Sequence, residues 1–243
     1  MVPSSPSVVA PSEITILGFG SLLSERSSRS TFPNLKNFRT GRVENYRRVF
    51  GHTPCFFFER NISNMETMEM SSLSVEPCAG AGFVCSVFEV RNDGLMETRA
   101  DSDEIFPSDA FRLREEEFDF AMVPYENLEK NTVSDAPVGV LCTRSSDEAY
   151  IAMWGKETFE RKYKSIGLET IWGYDEDSGL RPCAIYMRHC VLAARNMGDI
   201  CYNSFLDETY LVDRKTSVRA YLERYPNIMT MVPPPELSER YGG

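Results

Sequence analysis

The sequence predicts a single α+β domain, with a mixed and mostly antiparallel sheet or small barrel carrying helices. Three observations lead there. Segments of strand character crowd the chain as far as Thr143, with one helix interposed. The last third has helical periodicity. No internal repeat and no break in composition divides the chain. With 243 residues, 42% of them hydrophobic and 12% aromatic, there is material for one large core.

Taken in order, residues 1–12 are rich in Pro and Ser and are expected to be disordered. They carry no basic n-region or apolar h-region, so they do not read as a secretory signal, nor as an intact Arg-rich transit peptide. Ile14, Thr15, Ile16 and Leu17 form a β-branched apolar run that stops at Gly18-Phe19-Gly20-Ser21-Leu22. That is a buried strand ending in a tight loop. Residues 24–38 are polar and predict a loop with at most one helical turn. Strands are expected at 40–50 and at 55–58, the second from Phe56, Phe57 and Phe58, with a turn at 51–54 between them. Residues 61–77 read as a Met- and Ser-rich irregular, mobile insertion. A clear strand follows at 79–90, then a turn at 92–94 and a short helix or loop at 95–104.

Ser108 or Asp109 caps an expected helix running through Phe118. Strands are expected at 120–125 and 137–143, and an amphipathic segment capped by Ser146 or Asp147 extends to Lys164. Helices are expected at 182–197, stopped by Gly198, then at 200–206 and 216–225, the last capped by Asp213 or Thr216. The domain is bounded at 13–225, and residues 226–243, with their triple proline, are expected to form an extended tail.

The formal charge of −10 argues against nucleic acid and anionic membrane as partners, both of which need a basic face. No apolar run approaches the roughly 18–20 residues that span a bilayer. Seven cysteines without a Cys-x-x-Cys pair read as reduced thiols of an intracellular, cytoplasmic or organellar, protein. Only His52 and His189 are present, which leaves little for a His-based triad or a zinc site, and no metal is expected. The phosphate-binding and dinucleotide glycine motifs and the Gly-x-Ser-x-Gly nucleophile motif are absent from the sequence.

Two stretches carry candidate chemistry. Phe19-Gly20-Ser21-Leu22 is either an ordinary glycine turn or a loop whose backbone N–H groups form an anion nest. Arg114-Glu115-Glu116-Glu117 sets three acids beside Phe118. It is either a solvated acidic face or a place where crowding and burial raise a carboxyl pKa into the range of a general acid/base. Arg47 and Arg48 read as surface or strand-edge charges.

Together these stretches resemble the γ-glutamylcyclotransferase-like superfamily, including its ChaC-type members. Phe19-Gly20-Ser21-Leu22 matches the superfamily's opening loop. Phe111-Arg112-Leu113-Arg114-Glu115 matches the stretch that ends in its catalytic glutamate, with Arg112 where the family has Asp. Pro182-Cys183-Ala184-Ile185-Tyr186 matches a Pro-Ser-any-any-Tyr stretch, with Cys183 in place of Ser. Tyr46-Arg47-Arg48-Val49-Phe50 is similar to a family strand. The resemblance covers most of residues 13–225 and implies the family's fold and a small γ-glutamyl substrate. It implies Glu115 as general acid/base, with Phe19, Gly20, Ser21, Leu22 and Tyr186 binding substrate, and 5-oxoproline as product without a cofactor. Two other readings stay open: a non-enzymatic binding module on the same fold, with 61–77 as its partner surface, and another acyl-transfer chemistry such as removal of a γ-glutamyl protecting group.

Overall fold

In the computed structural model, which describes residues 10–98, 105–129 and 137–242, a closed five-stranded barrel lies at the centre. The elements run β1 (Glu13–Gly18), α1 (Glu25–Thr31), β2 (Lys36–His52), α2 (Cys55–Glu59), β3 (Glu69–Arg91), β4 (Met96–Thr98) and β5 (Ile105–Pro107). Next come α3 (Asp109–Arg114), β6 (Asp119–Asn127), β7 (Val138–Thr143), α4 (Asp147–Trp154) and α5 (Lys156–Lys162). The last part has β8 (Arg181–Pro182), α6 (Ala184–Asn196), α7 (Asp199–Asp207), β9 (Thr209–Leu211), α8 (Val218–Arg224) and α9 (Ser238–Tyr241). The α+β architecture expected from the sequence is therefore present, and the sheet takes the barrel form.

The barrel closes in the order β3, β1, β7, β6, β2 and back to β3. Every pairing is antiparallel except β1 with β7, where Ile16 faces Val140. This one parallel pair fixes the geometry of the mouth. The C-terminal ends of β1 and β7 emerge on the same side, and β6, antiparallel to β7, begins there. The loop after β1 and the residues just before β6 are thus brought together by topology. β1 reads as an unbroken apolar run because both its faces are covered: Leu17 belongs to the central core, while Ile14 and Ile16 pack with Phe88, Phe111 and Val140 outside the barrel.

Beyond the barrel, β2 and β3 continue as a long two-stranded ribbon, flanked by β9 along β2 and β8 along β3. Helix α6 packs across it with Met187, Cys190, Val191, Ala193 and Ala194 all buried. Cys183, just before α6, and Cys190 within it are both buried and unpaired.

Several local expectations are corrected. Residues 24–38 hold a true helix, α1, because the Ser24 side chain accepts the Ser27 N–H at 3.3 Å and caps it. The three phenylalanines form α2 rather than a strand, since the chain turns after Pro54 and one helical turn drives Phe57 into the core. The supposed insertion at 61–77 becomes ladder from Glu69 onward. Residues 70–76 are buried throughout, and Ser74 satisfies its hydroxyl on the Val49 carbonyl at 3.3 Å. Within the expected helix or loop at 95–104, residues 96–98 are the strand β4, paired with β5, and 99–104 lie outside the described residues. Most of the expected N-terminal disorder, at 1–9, does so as well. Helix α3 stops at Arg114, four residues short of Phe118. The segment expected to run from 146 to 164 is broken at Gly155, whose φ of 86° ends α4 and starts α5. Ser217 rather than Asp213 or Thr216 caps α8, because Asp213 is occupied by the Lys215 and Thr216 N–H groups.

Two corrections matter for the site. Arg48 is not a surface charge: it is fully buried, sandwiched between the Phe83 and Phe205 rings, and donates to the Val84 carbonyl and the Ser204 hydroxyl, each at 3.1 Å. Residues 226–242 are not an extended tail. They fold into two 3-10 turns and α9, because Ile228, Leu237 and Tyr241 are apolar anchors that bury against the domain.

Candidate active site

A cavity of about 550 Å³ opens at the barrel mouth. The loop after β1, the residues after α3 and the first turn of α6 all line it, so Phe19, Gly20, Ser21, Leu22, Glu115 and Tyr186 share one cavity.

The loop is held rigidly from behind. The Leu22 carbonyl accepts from Ser86 Oγ at 2.7 Å and Ser28 Oγ at 2.9 Å, and Ser86 Oγ also reaches the Gly18 carbonyl at 3.3 Å. Residues 21–23 form a 3-10 turn, closed by the Leu23 N–H on the Gly20 carbonyl at 3.0 Å. The N–H groups of Ser21 and Leu22, at the start of that turn, have no protein acceptor among the described residues. They are donors available to a ligand, as the first turn of any helix provides. Gly20 is required by close approach, since a Cβ there would overlap the Tyr186 hydroxyl. Tyr186 cannot yield, because its ring is packed by Phe50, Phe57 and Tyr241, with centroids at 6.4, 5.1 and 6.1 Å. Burial pushes its phenol well above the ordinary value, which keeps it a neutral hydrogen-bond donor.

Glu115 follows from how α3 is anchored. The Ser108 hydroxyl caps the helix on the Phe111 N–H at 3.2 Å, Phe111 buries against Phe120, and Arg114 lies over the Phe32 ring at 4.0 Å. The next residue ends the helix and turns its carboxyl into the cavity. Burial raises its pKa to about 7; Arg114 and Arg240 pull it down, and Glu117 pushes it up. Arg114 Nε stands 3.5 Å from Glu115 Oε1.

The three consecutive acids have three fates. Glu115 faces the cavity. Glu116 is clamped by Lys162 Nζ, at 2.6 and 2.8 Å. Glu117 is buried, accepts from the Tyr163 hydroxyl and lies 3.4 Å from His52 Nε2. His52 stacks on Trp172 at 4.5 Å, meets the edge of Phe118 at 5.0 Å, and lines the cavity. His189, in contrast, is enclosed in α6, where burial lowers its pKa to about 4.

Sequence reasoning missed His52, Arg240 and Tyr241 as parts of this wall. His52 ends β2 in what reads as a plain turn, and its partner Glu117 is remote in sequence. Arg240 and Tyr241 follow a proline-rich stretch whose four-residue helix is too short to leave a periodic signal. Among the described residues, no group of His, Cys, Asp and Glu could hold a metal ion. Nor is any helix among them long and apolar enough to cross a membrane.

No family model and no curated protein sequence matches the chain. Among solved structures, it is similar to a γ-glutamyl cyclotransferase specific to glutathione from yeast. The identity is 12%, over 90% of this chain and 96% of that one, with a TM-score of 0.45. It is also similar to a second γ-glutamyl cyclotransferase, at 14% identity over 67% of this chain and 90% of that one, with a TM-score of 0.38. A third likeness, to an uncharacterized protein from Homo sapiens, has 13% identity over 69% and 94% of the two chains and a TM-score of 0.39.

Proposed function

We propose that the protein is a γ-glutamyl cyclotransferase, releasing 5-oxoproline from a small γ-glutamyl peptide or amide. One observation carries this reading: a carboxyl group with a pKa of about 7, Glu115, faces a cavity whose wall also offers free backbone N–H groups and a neutral tyrosine. The motif resemblance at residues 19–22, 111–115 and 182–186 supports the same assignment.

The chemistry follows from the residue types. The N–H groups of Ser21 and Leu22 hold the substrate α-carboxylate, and Tyr186 donates to an oxygen of the glutamyl chain. Glu115, ionised, takes a proton from the α-ammonium. The freed amine attacks the γ-carbonyl carbon, forming the new C–N bond of the five-membered ring. As the old amide C–N bond breaks, Glu115 returns its proton to the departing nitrogen, and the ring nitrogen passes its second proton to the freed amine, which leaves as an ammonium while the ring keeps a single N–H. A carboxyl near neutrality can do both, since neither protonation state is costly. Ring closure is intramolecular, so confining the glutamyl chain in the cavity supplies a large part of the acceleration. Seven free thiols suit a reducing compartment such as the cytoplasm.

Incubation with glutathione, γ-glutamyl-alanine and γ-glutamyl-lysine, with assay of 5-oxoproline, tests the reading. Release from at least one is expected, and its loss by at least about 100-fold in Glu115→Gln. Failure of every γ-glutamyl compound, or full activity in the Gln variant, would overturn it.

A further inference from the structure

The protein as a whole is acidic, yet the charged residues lining the cavity are Arg60, Arg114 and Arg240 against the single carboxyl of Glu115, with His52 beside them. These guanidiniums are not equivalent. Arg114 is engaged with Glu115 and stacked on Phe32. Arg60 is exposed at the rim. Arg240 is half-buried, and its Nε has no hydrogen-bond partner among the described residues. Its guanidinium lies 5.6 Å from the centre of the neighbouring Tyr241 ring. Arg240 is near enough to Glu115 to draw that carboxyl's pKa down, but it forms no ion pair with it within 4.0 Å among the described residues, so its guanidinium keeps hydrogen-bonding capacity that a ligand anion in the cavity would use.

The way Arg240 reaches the cavity is itself built. Tyr241 is 1% exposed, wedged edge-on between Tyr186 at 6.1 Å and His189 at 5.5 Å. That plug fixes α9 against α6 and α1 and aims the preceding side chain inward.

We propose that Arg240 is a specificity-determining residue: it binds a carboxylate on the leaving-amine side of the substrate, so the cavity selects γ-glutamyl compounds whose amine component is an amino acid or peptide with a free carboxylate. This rests on the cyclotransferase reading for the identity of the glutamyl half. The α-carboxylate of that half is matched to the loop N–H groups, which leaves Arg240 for a second anion. Arg240 acts on binding and takes no part in the proton transfers assigned to Glu115.

The test compares γ-glutamyl-alanine with γ-glutamyl-ethylamide, which differ only by that carboxylate. The wild-type enzyme is expected to favour the alanine compound at least about 10-fold in kcat/KM, the discrimination that one charge-assisted contact supplies. In Arg240→Gln the preference falls to within about 2-fold, while Arg240→Lys, which keeps the charge, retains an intermediate preference. Equal turnover of the two compounds by wild type, or a preference unchanged in Arg240→Gln, overturns the assignment. Calorimetric binding of both compounds to Glu115→Gln separates the two proposals. If no 5-oxoproline forms but the alanine compound still binds more tightly in an Arg240-dependent way, the reaction is wrong and the carboxylate site stands. If 5-oxoproline forms and binding ignores the carboxylate, the reverse holds.

Discussion

Replacing Glu115 by Gln makes the protein more stable at alkaline pH, and the structure says by how much. Burial lifts the carboxyl from the ordinary 4.5 to about 7. A folded pKa above the unfolded one means that the folded state prefers the protonated acid. Stability from this group is therefore fully present below about 4.5 and lost as pH rises through about 7. At pH 8 the wild-type protein carries an ionised carboxylate in a site that disfavours it, with a ceiling near 3 kcal/mol from that gap in pKa. Because 26% of the side chain is still accessible, solvent screening reduces the effect to about 1–2 kcal/mol. Gln has the shape of the protonated acid and never ionises. In a domain of this size the gain corresponds to a Tm rise of about 3–6 °C at pH 8. At pH 4 the two proteins should melt within about 1 °C of each other. Melting followed by circular dichroism at pH 4, 6 and 8 measures the difference. A Gln variant that melts lower at pH 8, or by a constant offset at every pH, would refute the reasoning that the site destabilises the ionised form.

Other perturbations follow from the same geometry. Gly20→Ala forces a methyl against the Tyr186 hydroxyl, so a stability loss of about 1–3 kcal/mol in urea unfolding is expected, with at least a 10-fold drop in 5-oxoproline release; wild-type behaviour would contradict the packing described. Arg48→Met removes a buried cation that forms no ion pair among the described residues and whose pKa burial lowers to about 10, and it should stabilise the protein by about 1–3 kcal/mol, whereas a loss of that size would show the two hydrogen bonds outweigh the desolvation. Glu76 is also buried, which pushes its carboxyl up, but Arg214 and Arg47 outweigh burial and hold it below its ordinary value. Glu76→Gln should therefore cost about 1–3 kcal/mol at pH 7, with the cost fading as pH falls below the carboxyl's ordinary 4.5, and a pH-independent cost would point to packing rather than charge.

What could be read in advance depended on whether a residue's surroundings are local. β1 was legible because its double burial leaves a continuous apolar run, and Glu115 because it closes a short motif beside Phe118. The first half of β3 was not, since Ser71, Ser72 and Ser74 sit in a buried ladder where composition predicts an exposed loop. The phenylalanines of α2 have strand propensity that tertiary packing overrides. Arg48, Glu117 and Arg240 take their meaning from partners far along the chain: Phe205 for the first, Tyr163 and His52 for the second, and Glu115 for the third. Spacing within a segment cannot report such meetings.

The cavity wall draws on residues from Ile16 to Tyr241, nearly the full described length. No supersecondary unit of the chain contains it, so it exists only when barrel, ribbon and C-terminal turn have all come together. A ligand seated there would therefore contribute its binding free energy to the cooperativity of the entire domain rather than to one loop, and saturation at 100 times its Kd would add about 2.7 kcal/mol to global unfolding. Hydrogen exchange at the β9 and α8 amides, none of whose residues line the cavity, would slow along with exchange at the mouth.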